Sequence, residues 1–298
     1  MKKLFGVTTA MTTPFTSDDR IDVASIRETV DFLISKGVHG LYPLGTTGEM
    51  LHLTLEERKL VAQTVVEAAA GRVNVFVNCG ANTTWDAVQL ARHAASVGAD
   101  GIGAVTPYFL KVSDRELEEY YVTLARCVPE DFPLYMYSIP QCAANDIDPA
   151  VCQAVRRRCP NVAGIKYSYA DFSRLIDYCS LGDGFSVMIG PDLLFLQGMT
   201  VGCDGVVSGI SGIFPEPFVA VYNAYMAGNL KEAERLQRLC VAYVRILRAG
   251  SNMAYFKTAM DYRGLRGGHM RAPQLNLTPA EKEAFLAELK AMDVYGAI

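Results

Sequence analysis

The chain predicts a (β/α)8 barrel, the TIM-barrel form of the α/β class, with a helical C-terminal extension. Three observations carry this prediction. Eight short apolar, β-rich runs end in Gly, Pro, Ser or Thr. Segments of helical period lie between them, which implies parallel strands joined by helical crossovers. After the eighth run only helical material follows. A doubly wound sheet is the competing architecture. At 298 residues, half of them hydrophobic, the chain is long enough for one large core.

The runs are 6–13, 40–45, 74–80, 101–107, 133–140, 162–168, 186–190 and 205–209. Helical period marks 55–70, 84–97, 116–127 and 149–158 among the intervening segments. Ser25 with Glu28, Thr54 with Glu57 and Ser113 with Glu116 match the capping box, and Pro149 and Pro279 fit a first helical position. Beyond the eighth run, 218–227, 230–249, 251–262 and 278–292 are more helices than the barrel needs. The barrel is therefore expected over 1–226 and the extension, packed on it, over 227–298.

Composition narrows the function. A net charge of −4 argues against nucleic acid as the main partner. No apolar run reaches membrane-spanning length, and Met1-Lys2-Lys3 leads directly into a strand without a signal-peptide core. The eight cysteines form no Cys-x-x-Cys pair, so a reduced, cytoplasmic setting is expected. Four scattered histidines show no metal spacing, and neither a metal nor an organic cofactor is expected.

Barrel enzymes carry their chemistry at the C-terminal ends of the strands. The sixth run, Val162-Ala163-Gly164-Ile165-Lys166-Tyr167-Ser168, sets one lysine into an apolar strand. Desolvation favours the neutral amine, the form that attacks carbonyls. The plainer alternative is a strand-end lysine that reaches solvent. Tyr137 ends the adjacent fifth run and should face the same cavity, where a phenol can move protons as a carbinolamine forms and collapses. Packing as core filler is its alternative role. Gly45-Thr46-Thr47-Gly48 after the second run offers free amides and two hydroxyls, a nest suited to a carboxylate or phosphate. No Gly-Lys-Thr follows it, so it is not a P-loop. Gly209 and Gly212 could form a second anion site, though without a lysine or arginine. Lysine, tyrosine and a carboxylate seat together describe a 2-oxo acid aldolase.

Gly45-Thr46-Thr47-Gly48-Glu49, Thr106-Pro107-Tyr108, Tyr137-Ser138-Ile139-Pro140 and Gly164-Ile165-Lys166 follow one another in order and spacing. Over nearly its whole length the chain resembles the N-acetylneuraminate lyase and dihydrodipicolinate synthase family of class I aldolases. The resemblance implies a homotetramer whose Lys166 forms a Schiff base with pyruvate or a larger 2-oxo acid. It implies Tyr137 as proton shuttle, with Thr46 in the relay. Thr46, Thr47 and Gly45 would seat the carboxylate.

Departures from the family pattern bear on the substrate. Where the synthases carry an arginine after the tyrosine motif, this chain has Cys142, which lacks a bidentate fork. Where many members place a relay tyrosine from the neighbouring subunit, it has Phe109. Sialic acid lyases follow the seventh strand with Asp-Glu to bind sugar hydroxyls; here Asp192-Leu193 keeps the aspartate alone, and it could instead cap the helix over 193–199. Ser208 matches the lyases' eighth-strand serine, and Tyr42-Pro43 is closer to the lyases than to the synthases. The expected reaction is reversible cleavage of a hydroxylated 2-oxo acid, such as a 2-keto-3-deoxy sugar acid or an N-acetylneuraminate-like acid, to pyruvate and an aldehyde. The alternatives are a dihydrodipicolinate synthase without its arginine, a 2-keto-3-deoxy acid dehydratase and a non-catalytic 2-oxo acid binding protein.

Overall fold

The structure, a computed structural model, describes residues 1–182 and 184–292. Eight parallel strands close into a barrel: β1 (Gly6–Ala10), β2 (Gly40–Tyr42), β3 (Asn74–Asn78), β4 (Gly101–Val105), β5 (Leu134–Ser138), β6 (Val162–Tyr167), β7 (Ser186–Ile189) and β8 (Gly205–Ser208). Each pairs with the next and β8 returns to β1. All eight runs are strands, each shorter at its C-terminal end than its run. The residues past the last pair leave the sheet and become the loops that face the mouth, Leu44 turning into the left-handed region and Gly209 into the helical one.

The barrel is filled, not hollow. Tyr42, Phe76, Tyr135 and Met188 pack inside it with smaller residues. Gly103 is required there, because a Cβ would collide with the Tyr42 phenol. A larger apolar core lies between the sheet and its helices.

Around the barrel run α1 (Val23–Ser35), α2 (Leu55–Ala69), α3 (Thr84–Ser96), α4 (Asp114–Arg126), the single turn α5 (Pro140–Ala143), α6 (Pro149–Arg158), α7 (Phe172–Cys179), α8 (Phe195–Thr200) and α9 (Pro215–Met226). The reciprocal capping boxes at Thr54–Glu57 and Ser113–Glu116 form as expected. The box at Ser25–Glu28 does not. Asp22 caps α1 instead, its carboxylate accepting from the Ser25 amide at 2.9 Å and from the Ser25 hydroxyl at 2.7 Å. Glu28 turns outward to Arg266, 2.8 Å away.

Three helices follow: α10 (Leu230–Ile246), α11 (Met253–Tyr262) and α12 (Pro279–Met292). The last six positions of the expected extension, 293–298, lie outside the described residues. Tyr243 of α10 stacks on Phe214 with centroids 4.2 Å apart. Gln237 bridges α10 to the seventh strand's loop, donating to the Asp192 carbonyl at 2.9 Å and accepting from the Leu196 amide. The turn from α10 to α11 thereby comes to lie over the C-terminal mouth of the barrel. Among the described residues no helix is long and apolar enough to cross a membrane.

Candidate active site

β5 and β6 pair with Tyr137 opposite Lys166, so the register places both side chains at one level of the barrel mouth. Lys166 is only 4% exposed. Its Nζ lies 4.0 Å from the centre of the Tyr137 ring and 4.8 Å from that of Tyr42. Two aromatic faces therefore replace much of its hydration while still tolerating a cation. The strand-end lysine reaching solvent is not what forms. Tyr42 stands edge-on to Tyr137, its hydroxyl directed at Asn78 Oδ1 at 3.4 Å. Burial pushes the Tyr42 phenol far above its usual range, so it serves as a wall and not as an acid. The Tyr137 hydroxyl instead reaches Thr46 Oγ1, at 3.4 Å.

The loop carrying Thr46 is tightly folded. The Gly48 amide donates to the Gly45 carbonyl at 3.1 Å and the Glu49 amide to the Thr46 carbonyl at 3.0 Å. Leu44 (φ 65°) and Glu49 (φ 54°) both sit in the left-handed region, which is strained for residues with a Cβ. Gly48 packs against the Leu44 and Met11 backbones so closely that a side chain would displace them. On the far side, Thr47 Oγ1 occupies the space beside Gly209, where a Cβ would come within 2.8 Å. Gly209 thus belongs to the same nest, while Gly212 does not line the cavity.

Lys166, Tyr137, Thr46, Thr47, Asp192 and Gly209 line one cavity of about 520 Å³. Gly250, Ser251, Met253 and Phe256, from α11 and the turn before it, roof it. Asp192 does not cap a helix: α8 begins at Phe195, and no side chain caps it. Its carboxyl is held by the Ser208 hydroxyl, and burial pushes its pKa up to about 7, against the pull of that hydroxyl and of the Lys166 charge. The other oxygen, Oδ1, is sealed from solvent and has no hydrogen-bond partner. Ser208 is itself fully buried, accepts from the Ser211 amide at 2.9 Å, and meets the cavity through Asp192. Cys142 stands exposed at the cavity rim. Phe109 is 86% exposed with φ 74°, outside the cavity of its own chain.

The site thus presents an amine, a phenol, a hydroxyl, a carboxyl and a loop of backbone amides to one small volume. The model of the dihydrodipicolinate synthetase family matches residues 3–292. This chain belongs to the dihydrodipicolinate synthetase family. Like its relatives it is a carbon–carbon lyase. It is 33% identical over 288 residues to a 4-hydroxy-tetrahydrodipicolinate synthase of Methanosphaerula palustris, covering 95% of this chain and 97% of the relative. It is 35% identical over 242 residues to a protein of Escherichia coli named a probable 2-dehydro-3-deoxy-D-pentonate aldolase, covering 80% of each. The catalytic lysine mutant of the Ruminococcus gnavus sialic acid aldolase superposes with a TM-score of 0.91 at 26% identity, over 98% of this chain and 97% of that one.

Asn78, which accepts from the Tyr42 hydroxyl behind the lysine, is a part of the site that motif reading passed over. Its only sequence signal is its position at the end of a strand.

Proposed function

We propose that the chain is a Schiff-base-forming aldolase that cleaves a hydroxylated 2-oxo acid, of the 2-keto-3-deoxy sugar acid class, to pyruvate and an aldehyde. The convergence of Lys166, Tyr137 and Thr46 carries this reading. The Thr46–Thr47 loop seats the substrate carboxylate and so brings C2 to the amine. The Lys166 amine adds to the C2 carbonyl, and loss of water from the carbinolamine leaves an iminium. The Tyr137 hydroxyl, backed by Thr46, supplies the proton that leaves with the water. The iminium accepts the electron pair of the C3–C4 bond as the C4 hydroxyl gives its proton to the Tyr137 phenolate that dehydration left, which releases the aldehyde and an enamine. Protonation at C3 and hydrolysis then free pyruvate and the lysine.

Asp192 lines the same cavity beside Ser208, where its carboxyl group can meet a sugar hydroxyl on the leaving half. Cys142 supports this reading over a synthase: a thiol at the rim gives the carboxylate of an amino-acid aldehyde nothing to pair with. The similarity to a pentonate aldolase favours the same reading, and that to synthases favours the alternative.

The protein further assembles as a homotetramer, through contacts that cover Phe109 and its neighbours. Incubation with pyruvate and borohydride, followed by intact-mass and peptide mapping, should find a reduced pyruvyl adduct on Lys166. Pyruvate release from 2-keto-3-deoxy acids should then exceed condensation of pyruvate with aspartate semialdehyde. An unmodified Lys166 in folded protein overturns the mechanism, and the reverse preference overturns the substrate class.

A further inference from the structure

A second lysine is buried as deeply as Lys166. Lys257 of α11 is 2% exposed, in the apolar setting Tyr255-Phe256-Lys257-Thr258-Ala259. Its Nζ donates to the Thr13 carbonyl at 3.0 Å and the His269 carbonyl at 2.6 Å, and forms an ion pair with Glu49 Oε1 at 2.8 Å. Phe15 lies under it, with the ring centre 4.3 Å from Nζ. Burial pulls the Lys257 pKa below its usual value while Glu49 holds it up. An ion pair and two carbonyls around the ammonium favour its charged form there.

Glu49 is the last residue of the loop that carries Thr46 and Thr47. It is buried and held in the left-handed region, and its amide closes the turn on the Thr46 carbonyl. A residue in that conformation persists only where its surroundings impose it. The carboxylate of Glu49 is the handle by which they do so. Thr13, one of Lys257's acceptors, also donates through its hydroxyl to the Gly48 carbonyl at 2.8 Å, so β1's loop, the nest and α11 are tied at one point. Gly268, at φ 73°, brings the chain close enough to Phe15 for the His269 carbonyl to reach Nζ.

We propose that Lys257 is a positioning residue: its buried pair with Glu49 fixes the curvature of the 45–49 loop and so holds Thr46 and Thr47 at the distance from Lys166 that 2-oxo acid binding needs. The C-terminal helices thereby act on the active site as well as cover it. This inference rests on the reading of that loop as the carboxylate seat and of Lys166 as the Schiff-base lysine.

Removing one partner would strand a buried charge, so the test removes both, in Lys257→Met with Glu49→Gln. Borohydride trapping on Lys166 is titrated against pyruvate, beside the melting temperature. The control is Arg263→Met with Glu216→Gln, which dissolves a different ion pair, between α9 and the residue after α11. Half-saturating pyruvate should rise about tenfold or more in the first variant, since small misplacements of a positioning loop act on that scale. The adduct at saturation should still map to Lys166. The control should melt earlier with its half-saturation unchanged. Unchanged half-saturation in the first variant, or an equal rise in the control, overturns the proposal. Absence of adduct in the parent protein overturns the Schiff-base reading, and this inference with it. Should the first variant fail to fold, Lys257→Arg keeps charge and donors but lengthens the reach. A raised half-saturation at parental melting temperature then supports the proposal, and a parental value sinks it.

Discussion

Tyr137 has two roles that a single atom separates. Its ring packs against Lys166 and Tyr42, and its hydroxyl reaches Thr46. Tyr137→Phe keeps the ring and removes only the proton path. Turnover should fall about 100- to 10,000-fold, the range for loss of a general acid–base, with little change in half-saturating pyruvate. A stopped-flow comparison of adduct formation decides it, and a parental rate would leave the phenol as filler. Asp192 makes a different kind of test, through pH. An ordinary aspartate ionises near 3.8, while Asp192 is pushed up to about 7 by burial. Below about pH 4 both folded and unfolded chains carry the proton. Between those values the unfolded chain releases it while the fold retains it, so stability falls as pH rises, and the loss is complete above about pH 7. Asp192→Asn removes that dependence. Its stability should gain on the parent as pH rises from about 4 to 8, reaching on the order of 4 kcal/mol. A gain that does not change with pH would mean the carboxyl is ionised throughout. Lys166 and Tyr137 were legible in the sequence because each closes an apolar strand. Lys257 satisfies the same test of an apolar-flanked lysine, yet lies on a helix outside any motif, and its partner Glu49 is over two hundred residues away. Distance in the chain hid it.

At the level of elements, helix starts were readable wherever the cap is local. Thr54, Ser113 and Asp148 accept from amides two or three residues ahead; the helices after Thr54 and Asp148 begin where the period places them, and the one after Ser113 begins two residues earlier, directly after its capping box. α1 fails the pattern because two candidates compete, and Asp22 wins. Its carboxylate takes both the Ser25 amide and hydroxyl, and Glu28, freed from capping, pairs with Arg266. Asp22→Ala should therefore cost about 1 kcal/mol in denaturant unfolding, and Glu28→Ala about 0.5 kcal/mol or less, as an exposed pair. Equal losses, or the reverse order, would restore Ser25 as the cap. Strand ends were less legible. Residues 11–13 are as β-prone as 6–10, and what ends β1 at Ala10 is the loss of paired neighbours on both sides, which no local pattern contains. The same loss puts the Thr13 hydroxyl on the Gly48 carbonyl.

At the scale of the whole molecule, the apolar rim beside the active site asks for a cover. Leu51, Phe109 and Leu110 are 63%, 86% and 70% exposed, and Phe109 holds φ 74° with its ring in solvent. A strained, solvent-facing phenylalanine is costly in a lone chain, and the proposed assembly would supply a surface to receive it. A cavity of about 290 Å³ next to Thr46, walled by Met50, Val105, Tyr108 and Ile139, has the apolar character to do so. In a two-fold interface each residue is used twice, so one substitution is felt at both copies. Phe109→Asp should shift the sedimenting species toward monomer at micromolar concentration and lower pyruvate release with it. Phe109→Tyr should leave the mass unchanged and raise turnover, because a hydroxyl delivered from the partner beside Thr46 and Tyr137 extends the proton path by one step. If the tyrosine variant keeps parental turnover while the aspartate variant dissociates, the ring is a packing element only. If the parent protein itself sediments as a monomer, the cavity beside Thr46 belongs to the substrate, and the aldehyde half is more apolar than a sugar.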